Sequence, residues 1–417
     1  MPGPAKTPDQ IHDTTCCIAG GGPAGMMLGF LLARAGVDVV VLEKHADFLR
    51  DFRGDTIHPS TMEVMHELGL LDEFLKRPHS AVQKFEAHIG GRSVTFADFS
   101  HLRVRCPYIA FMPQWDFLNF LTEHAGRLPK FHLKMQAEVT GLIEEDGRVV
   151  GVHAKTPEGN LQVRAALTVG ADGRHSTVRS QARLPVEYVG APIDVLWMRV
   201  SRHSDDPHQL LGRFDRGRAL VMINRNDYWQ CGFLIRKGGY EELKMRGMPR
   251  FHEDLVSIAP FLRNRVGELA DWDQIKLLTV AVDRLQTWSR PGLLCIGDAA
   301  HAMSPVGGVG INLAIQDAVA AANLLARPLL NGTVTSEDLA RVQHRRELPT
   351  RLTQRLQVFM HRRFLYPVLA AGDGQVSIPW FMKLVTHVPV FRRIPARIVG
   401  IGFRPEHVRL PAASRSG

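Results

Sequence analysis

Cysteine is scarce and unpatterned in this chain of 417 residues. The five thiols (Cys16, Cys17, Cys106, Cys231 and Cys295) form no CxxC pair and show no metal-ligand spacing. An odd count without a framework argues against a disulfide scaffold and fits a reducing setting, so a cytoplasmic location is expected. Cys16, Cys17 and Cys295 fall in apolar runs, where a free thiol behaves as a small hydrophobe. No uninterrupted apolar stretch reaches the ~18 residues of a bilayer span. The opening "MPGPAKTPDQIHDTT" is polar and lacks the apolar run of a signal peptide. Internal repeats and low-complexity segments are missing as well. No His/Cys/Asp grouping has metal spacing, so no metal is expected. Net charge is +9 (51 Lys+Arg against 42 Asp+Glu), but the basic residues are scattered and no aromatic-plus-basic platform accompanies them. That balance attracts anions such as nucleotide phosphates and gives no nucleic-acid partner.

Glycine, by contrast, is concentrated. In "CCIAGGGPAGMMLGFLLARAGVDVVVLE", residues 16–43, three adjacent glycines separate two oily stretches. The run "TTCCIAG" reads as a buried strand, Pro23 to Ala35 as a helix ending at Gly36, and "VDVVVLE" as a second strand. Gly20, Gly22 and Gly25 fit G-x-G-x-x-G. Gly20 permits a tight turn, Gly22 lets the backbone approach a pyrophosphate, and Gly25 lets helix and strand pack closely. Gly29, one turn on, keeps the same face thin. Pro23 and Ala24 open the helix whose positive end faces the phosphates. Glu43, with Lys44 beside it, ends the second strand at the spacing of an acid that holds ribose hydroxyls. This segment alone leaves FAD or NAD open.

Downstream, "PSTMEVMHELGLLDEF" reads as a helix with Ser60 and Glu63 at capping-box spacing. Short alternating runs over 80–112 suggest antiparallel strands, "PQWDFLNFLTEHAG" a helix, and 137–171 a hairpin followed by a buried strand. Residues 185–290 alternate at length, as an antiparallel sheet with one wet face does, around one helical stretch near 240–270. Residues 336–371 read as an arginine-rich amphipathic helix. The expected class is α/β: a Rossmann-like FAD-binding domain interrupted by a mostly antiparallel β-sheet substrate domain, with C-terminal helices. The first is expected over 12–80, 100–180 and 290–370, the second over 80–100 and 181–289, and a tail over 371–417.

Three separated stretches carry a resemblance to the class A flavoprotein monooxygenases, the group of para-hydroxybenzoate hydroxylase and the ubiquinone-pathway hydroxylases. They are the G-x-G-x-x-G with Glu43, "LTVGADGRHSTVR" at 167–179, and "LLCIGDAAHAMSPVGGVGINLAIQDA" at 293–318, and together they span roughly 12–330. The resemblance implies FAD, with NADPH or NADH as electron donor. It places Asp298 on the ribityl hydroxyls and brings Pro305 and the turn Gly307-Gly308-Val309-Gly310 toward the pyrimidine edge of the isoalloxazine. Ile311 and Asn312 follow in that first helical turn. Arg53 and Gln114 match flavin-contacting positions by location. Asp172, in the middle stretch with Ser176 and Arg179, either orders a loop near the pyrophosphate or caps the next turn.

The implied reaction is hydroxylation of an aromatic, phenolic or quinone-type small molecule by O2, through a flavin C4a-hydroperoxide. The sequence does not identify a catalytic base. His301, after GDAA, reads as structural rather than catalytic. Trp197, Met198, Met222 and Trp229 are core or the wall of an aromatic pocket, with core favoured for any one of them. The alternatives are an FAD-dependent oxidoreductase of the same fold without oxygen insertion and a non-catalytic flavin-binding protein. Monomer and homodimer both stay open. The tail 380–409 mixes arginines with apolar residues. A strap on the core is the expectation, with weak membrane-surface contact as its alternative.

Overall fold

The structure is a computed structural model and describes residues 10–49, 56–207, 212–372 and 380–410. Arg53 lies outside the described residues.

The strand Gln10–Ala19 sits at the centre of an eight-stranded sheet, with Val39–Leu42 on one side and Gly159–Gly170 on the other. Both neighbours run parallel to it, as do Leu293–Cys295 beside Gly159–Gly170 and Phe131–Lys134 beside Val39–Leu42. Parallel strands are covered on both faces, which explains the unbroken apolar runs at 16–19 and 39–42. All five cysteines are buried and free, and burial pushes the Cys17 and Cys231 thiols up to about 12. The strands Glu138–Glu145 and Arg148–Thr156 form an antiparallel hairpin on Gly159–Gly170.

The helices Pro23–Arg34 and Gly310–Leu330 pack against one another over this sheet. A Cβ at Gly29 would stand 2.8 Å from Val41 and 3.0 Å from Phe131, so this glycine sets the helix-to-sheet distance. Residues 306–330 are long and apolar enough to cross a membrane by length and composition, although polar residues interrupt them. The middle of that segment, Asn312–Ala322, is buried inside the protein.

A second, seven-stranded sheet follows the order 276–278, 193–201, 228–236, 218–224, 212–215, 84–89, 92–98. It is antiparallel except where Lys84–Ile89 meets Gly212–Asp215. One face is closed by the helix Met248–Ile258, through Phe251, Leu255 and Ile258. The other face meets Phe364, Leu365 and Val368, which follow the helix Ser336–Met360.

Three local expectations are corrected. The helix at 59–74 is two, Pro59–Glu67 and Leu71–Phe74, because Gly69 adopts φ +74° between them. Its capping box does not form: His58 is the N-cap, and Glu63 instead accepts from the Arg105 N–H (2.8 Å). The stretch near 240–270 divides into Tyr240–Met245 and Met248–Ile258, followed by single 3-10 turns. The C-terminal residues form a strap. Glu406 pairs with Arg345 (2.6 Å) and Arg346 (3.4 Å), and His407 is hydrogen-bonded to Glu67.

Candidate functional site

Parallel strands end together, so the turns that leave them share one edge of the sheet. Three backbone bonds tie those turns side by side. Gly20 donates to Leu42 O (2.8 Å), Ala171 to Ala19 O (2.8 Å) and Ile296 to Gly170 O (2.9 Å). Segments separated by about 280 residues of sequence are thereby brought into contact.

The contacts leave no room for side chains where the turns touch. Gly20 has φ +103°, and a Cβ there would lie 2.4 Å from Ala171 O. A Cβ at Gly25 would lie 2.0 Å from Gly20 O, so this glycine closes helix onto turn. At Gly297, φ +58°, a Cβ would stand 3.0 Å from Ala24 Cβ, which joins the third motif to the first. Gly22 and Gly310 differ: a Cβ built at either meets nothing within 4 Å. Both stand at helix starts without a side-chain cap, since Gly22 caps Pro23–Arg34 and Gly310 begins the helix capped by Val309. An uncapped helix start presents N–H groups and the positive end of the dipole. Two such ends, each fronted by open space at the carboxyl edge of a parallel sheet, suit an anionic dinucleotide with an electron-rich ring.

Glu43 is 8% exposed, and its carboxylate accepts from Gly21 N–H (2.9 Å) and His45 N–H (3.0 Å). Lys44 is exposed. Gln114 begins the helix Gln114–Ala125 and is half-buried. Asp172 accepts from the Ser176 hydroxyl (2.5 Å) and the Val178 N–H (3.1 Å), while Ser176 caps Thr177–Gln181. Burial pushes the Asp172 carboxyl up, against the lowering effect of these donors. Its carboxylate thus orders the loop beside Gly20. Arg179 reaches Asp283 (3.2 Å) and Arg174 O (2.7 Å), away from that turn.

Asp298 is exposed on the turn between Gly297 and Ala300. The amide of Asn312 is committed within the protein. Its oxygen accepts from His58 N–H (2.9 Å) and Thr61 Oγ1 (2.7 Å), and its nitrogen donates to Thr56 O (3.3 Å). What Asn312 can offer a ligand is therefore its backbone N–H in the first turn.

Sequence reasoning missed the residues that hold this loop. Thr56 Oγ1 donates to Gly308 O (2.9 Å), and a Cβ at Gly308, φ +63°, would meet Thr56 Oγ1 at 2.4 Å. His58, fully buried, has Nδ1 2.7 Å from Val399 O in the strap. Burial pushes its imidazole down to about 4, opposed by the Val399 and Gly308 carbonyls. Gln357 grips the loop from behind, accepting from Ser304 N–H (3.1 Å) and donating to Ser304 O (2.8 Å) and Val306 O (3.0 Å). His361 Nε2 lies 2.8 Å from Ser304 Oγ. The only sequence signal was proximity to motifs, since Thr, His and Gln in loops and helices carry no distinctive pattern.

His301 is buried, with Nε2 2.6 Å from Asp317 Oδ2. Asp317 also accepts from Gly297 N–H (3.1 Å) and from Arg346 Nε (2.9 Å). Burial alone would raise the Asp317 carboxyl, but His301 and Arg346 hold it below the usual range. This cluster braces the Gly297 turn from the core side, in line with a structural histidine.

Met198, Met222 and Trp229 are buried beneath the helix Met248–Ile258, on the far face of the second sheet. Trp197 emerges on the opposite face, where it packs in one cluster with Phe96, Val221, Val306 and Met360. Val306 belongs to the third motif, so this face looks onto the candidate cofactor loop.

Comparison with known proteins agrees with this geometry. The family described as FAD binding domain matches residues 13–355. The 6-methylpretetramide 4-monooxygenase of Streptomyces rimosus is 32% identical over 403 residues, covering 95% of each chain. The para-nitrophenol 4-monooxygenase of Pseudomonas sp. (strain WBC-3) is 24% identical over 324 residues, 76% of this chain and 79% of that one. Among solved structures, the OxyS anhydrotetracycline hydroxylase from Streptomyces rimosus superposes with a TM-score of 0.72 at 23% identity, over 93% of this chain and 76% of that one. The Diels-Alderase PyrE3 of pyrroindomycin biosynthesis has a TM-score of 0.70 at 22% identity, over 93% of this chain and 80% of that one. These two likenesses concern the fold.

Proposed function

We propose, on the premise that this chain belongs to the FAD-binding-domain family and is an FAD-dependent aromatic monooxygenase, that its substrate is a fused-ring phenol and its electron donor NADPH or NADH. The observation that carries the substrate class is the apolar layer of Trp197, Phe96, Val221 and Met360 facing Val306 of the third motif. An apolar, aromatic-bearing layer favours a planar ring system over a small polar acid.

The chain's own residues divide the binding work. Gly22 and the uncapped start of Pro23–Arg34 would hold the pyrophosphate, and Glu43, whose carboxylate is fixed at the end of the second strand by the Gly21 and His45 N–H groups, would stand at the ribose. Asp298 takes the ribityl chain. Backbone N–H groups of Gly310, Ile311 and Asn312, at the start of an uncapped helix, would hold the electron-rich edge of the flavin ring, where the helix dipole favours negative charge. Gln114 would add a side-chain contact, and Asp172 keeps its loop in place. Bound FAD supplies hydride acceptance from the nicotinamide and transfer of one oxygen atom of O2 to the aromatic ring, the other leaving as water. Thr56, Gln357 and His361 keep the Ser304–Gly308 loop at a fixed height above the substrate layer. The apolar layer excludes water from the reacting face.

The test is to purify the protein, record its flavin spectrum, and screen fused-ring phenols for stimulation of NAD(P)H oxidation under heavy-oxygen-labelled O2. Label in the product supports the proposal. Stimulated turnover without label would assign the fold to oxidation without oxygen insertion. No stimulated turnover at all, with flavin bound, would leave a binding protein.

A further inference from the structure

The strap has two faces, and only one of them is used. Inward, Met382, Ala396 and Val399 pack onto the edge of the second sheet near Phe85, Phe96 and Phe99. A Cβ at Gly400 would stand 3.0 Å from Leu102 and 3.2 Å from Phe99, so this side is closed. The outward side of a soluble strap is ordinarily polar. Here it carries Leu384, Val388, Val390 and Ile394, exposed by 47%, 37%, 52% and 55%. Around them stand Lys383, Arg393 and Arg397, all exposed. Across residues 380–405 there are five Lys or Arg and no Asp or Glu.

We propose that the outer face of Trp380–Gly400 docks on an anionic phospholipid surface. Short helices with apolar residues outward and cations at their flanks lie in the headgroup plane, where apolar burial and attraction to anionic lipid add. Charge decides between occupants. A second copy of this chain related by a two-fold axis would set Lys383, Arg393 and Arg397 against their counterparts, a repulsive arrangement. An anionic bilayer satisfies both components at once. The proposal does not depend on which ring the enzyme hydroxylates.

The experiment floats the full-length, FAD-loaded protein with vesicles of phosphatidylcholine plus phosphatidylglycerol, and with phosphatidylcholine alone. Flotation is expected with the anionic vesicles at low salt, weakening as salt rises. The double variant Val390→Asp with Ile394→Asp should lower apparent affinity at least ~10-fold, and Arg393→Gln with Arg397→Gln should lower it and flatten the salt dependence. Both variants should keep flavin content and NAD(P)H oxidation, because neither pair touches the cofactor turns. No flotation with anionic vesicles, equal flotation with neutral ones, or indifference to both variants would overturn the proposal. So would a concentration-dependent dimer abolished by the aspartate variant, which would give this face to a second copy. Flotation is read without turnover, so it succeeds or fails separately from the substrate assignment.

Discussion

Replacing Gly22 by Ala separates what the fold needs from what the cofactor needs. Gly22 has φ −74° and ψ −176°, a conformation open to any L-residue. An added Cβ meets no atom within 4 Å. As a helix cap, Ala is worse than Gly by a few tenths of a kcal/mol, and the stiffer unfolded chain returns about 0.4–1 kcal/mol. The ligand-free protein should therefore unfold in urea within about 0.5 kcal/mol of the parent. The methyl would, however, stand between the uncapped helix end and an approaching pyrophosphate. Overpacking of this kind costs about 1–3 kcal/mol, which is roughly 5- to 150-fold in affinity. FAD titration of the stripped protein, followed by flavin fluorescence, measures it. Unchanged FAD affinity, or a large loss of ligand-free stability, would refute the assignment of this glycine to the phosphates. Gly25→Ala is the contrasting control: its Cβ would sit 2.0 Å from Gly20 O, and no folded protein is expected.

Other outcomes follow from the same geometry. Arg346→Met strips the buried Asp317 of its arginine partner and should cost about 3–5 kcal/mol in urea unfolding. Because His301 and Arg346 depress the Asp317 carboxyl against its burial, that contribution is present above the ordinary carboxylate range. It is lost as pH falls through the depressed native value, and urea midpoints across the acid range should show the limb shrink in the variant. His58 and His361 act with the same sign at higher pH, each pushed down to about 4 chiefly by burial. Between ~6.5 and ~4 the unfolded chain binds protons that the native state refuses, so stability should fall with pH by up to ~1.4 kcal/mol per unit per group. His361→Gln should flatten that limb in the same urea series. Asp298→Ala, at an exposed turn, should weaken FAD ~10-fold or more, consistent with loss of a charged hydrogen-bonding group. Equilibrium dialysis of FAD checks it.

The glycine turn, its flanking strand and helix, and the third motif were legible because each needs a special residue at a special place. Gly20 needs positive φ and Gly25 needs the absence of a side chain, and such demands leave a mark in one sequence. Broken helices were less legible: Gly69 divides 59–74, while Pro349 sits inside Ser336–Met360 without ending it. Proline and glycine report local preference, and tertiary packing decides which preference prevails. The capping box at Thr335 and Asp338 is present, whereas the equally spaced Ser60 and Glu63 do not form one, because Glu63 is drawn to Arg105. Long-range supports such as Thr56 on Gly308, Gln357 on Ser304 and Arg346 on Asp317 join residues far apart in sequence. Ordinary side chains recruited by distant backbone carry no local signature.

The pairing of Ala19 with Gly170, and of Gly170 with Cys295, has a consequence during synthesis. The first strand leaves the ribosome with an open edge whose final partner follows about 150 residues later, roughly ten to thirty seconds at ordinary elongation rates. Through that interval an apolar, β-rich nascent segment must be kept from pairing with another chain. Chaperone supply during expression should thus limit the yield of this protein more than its finished stability does.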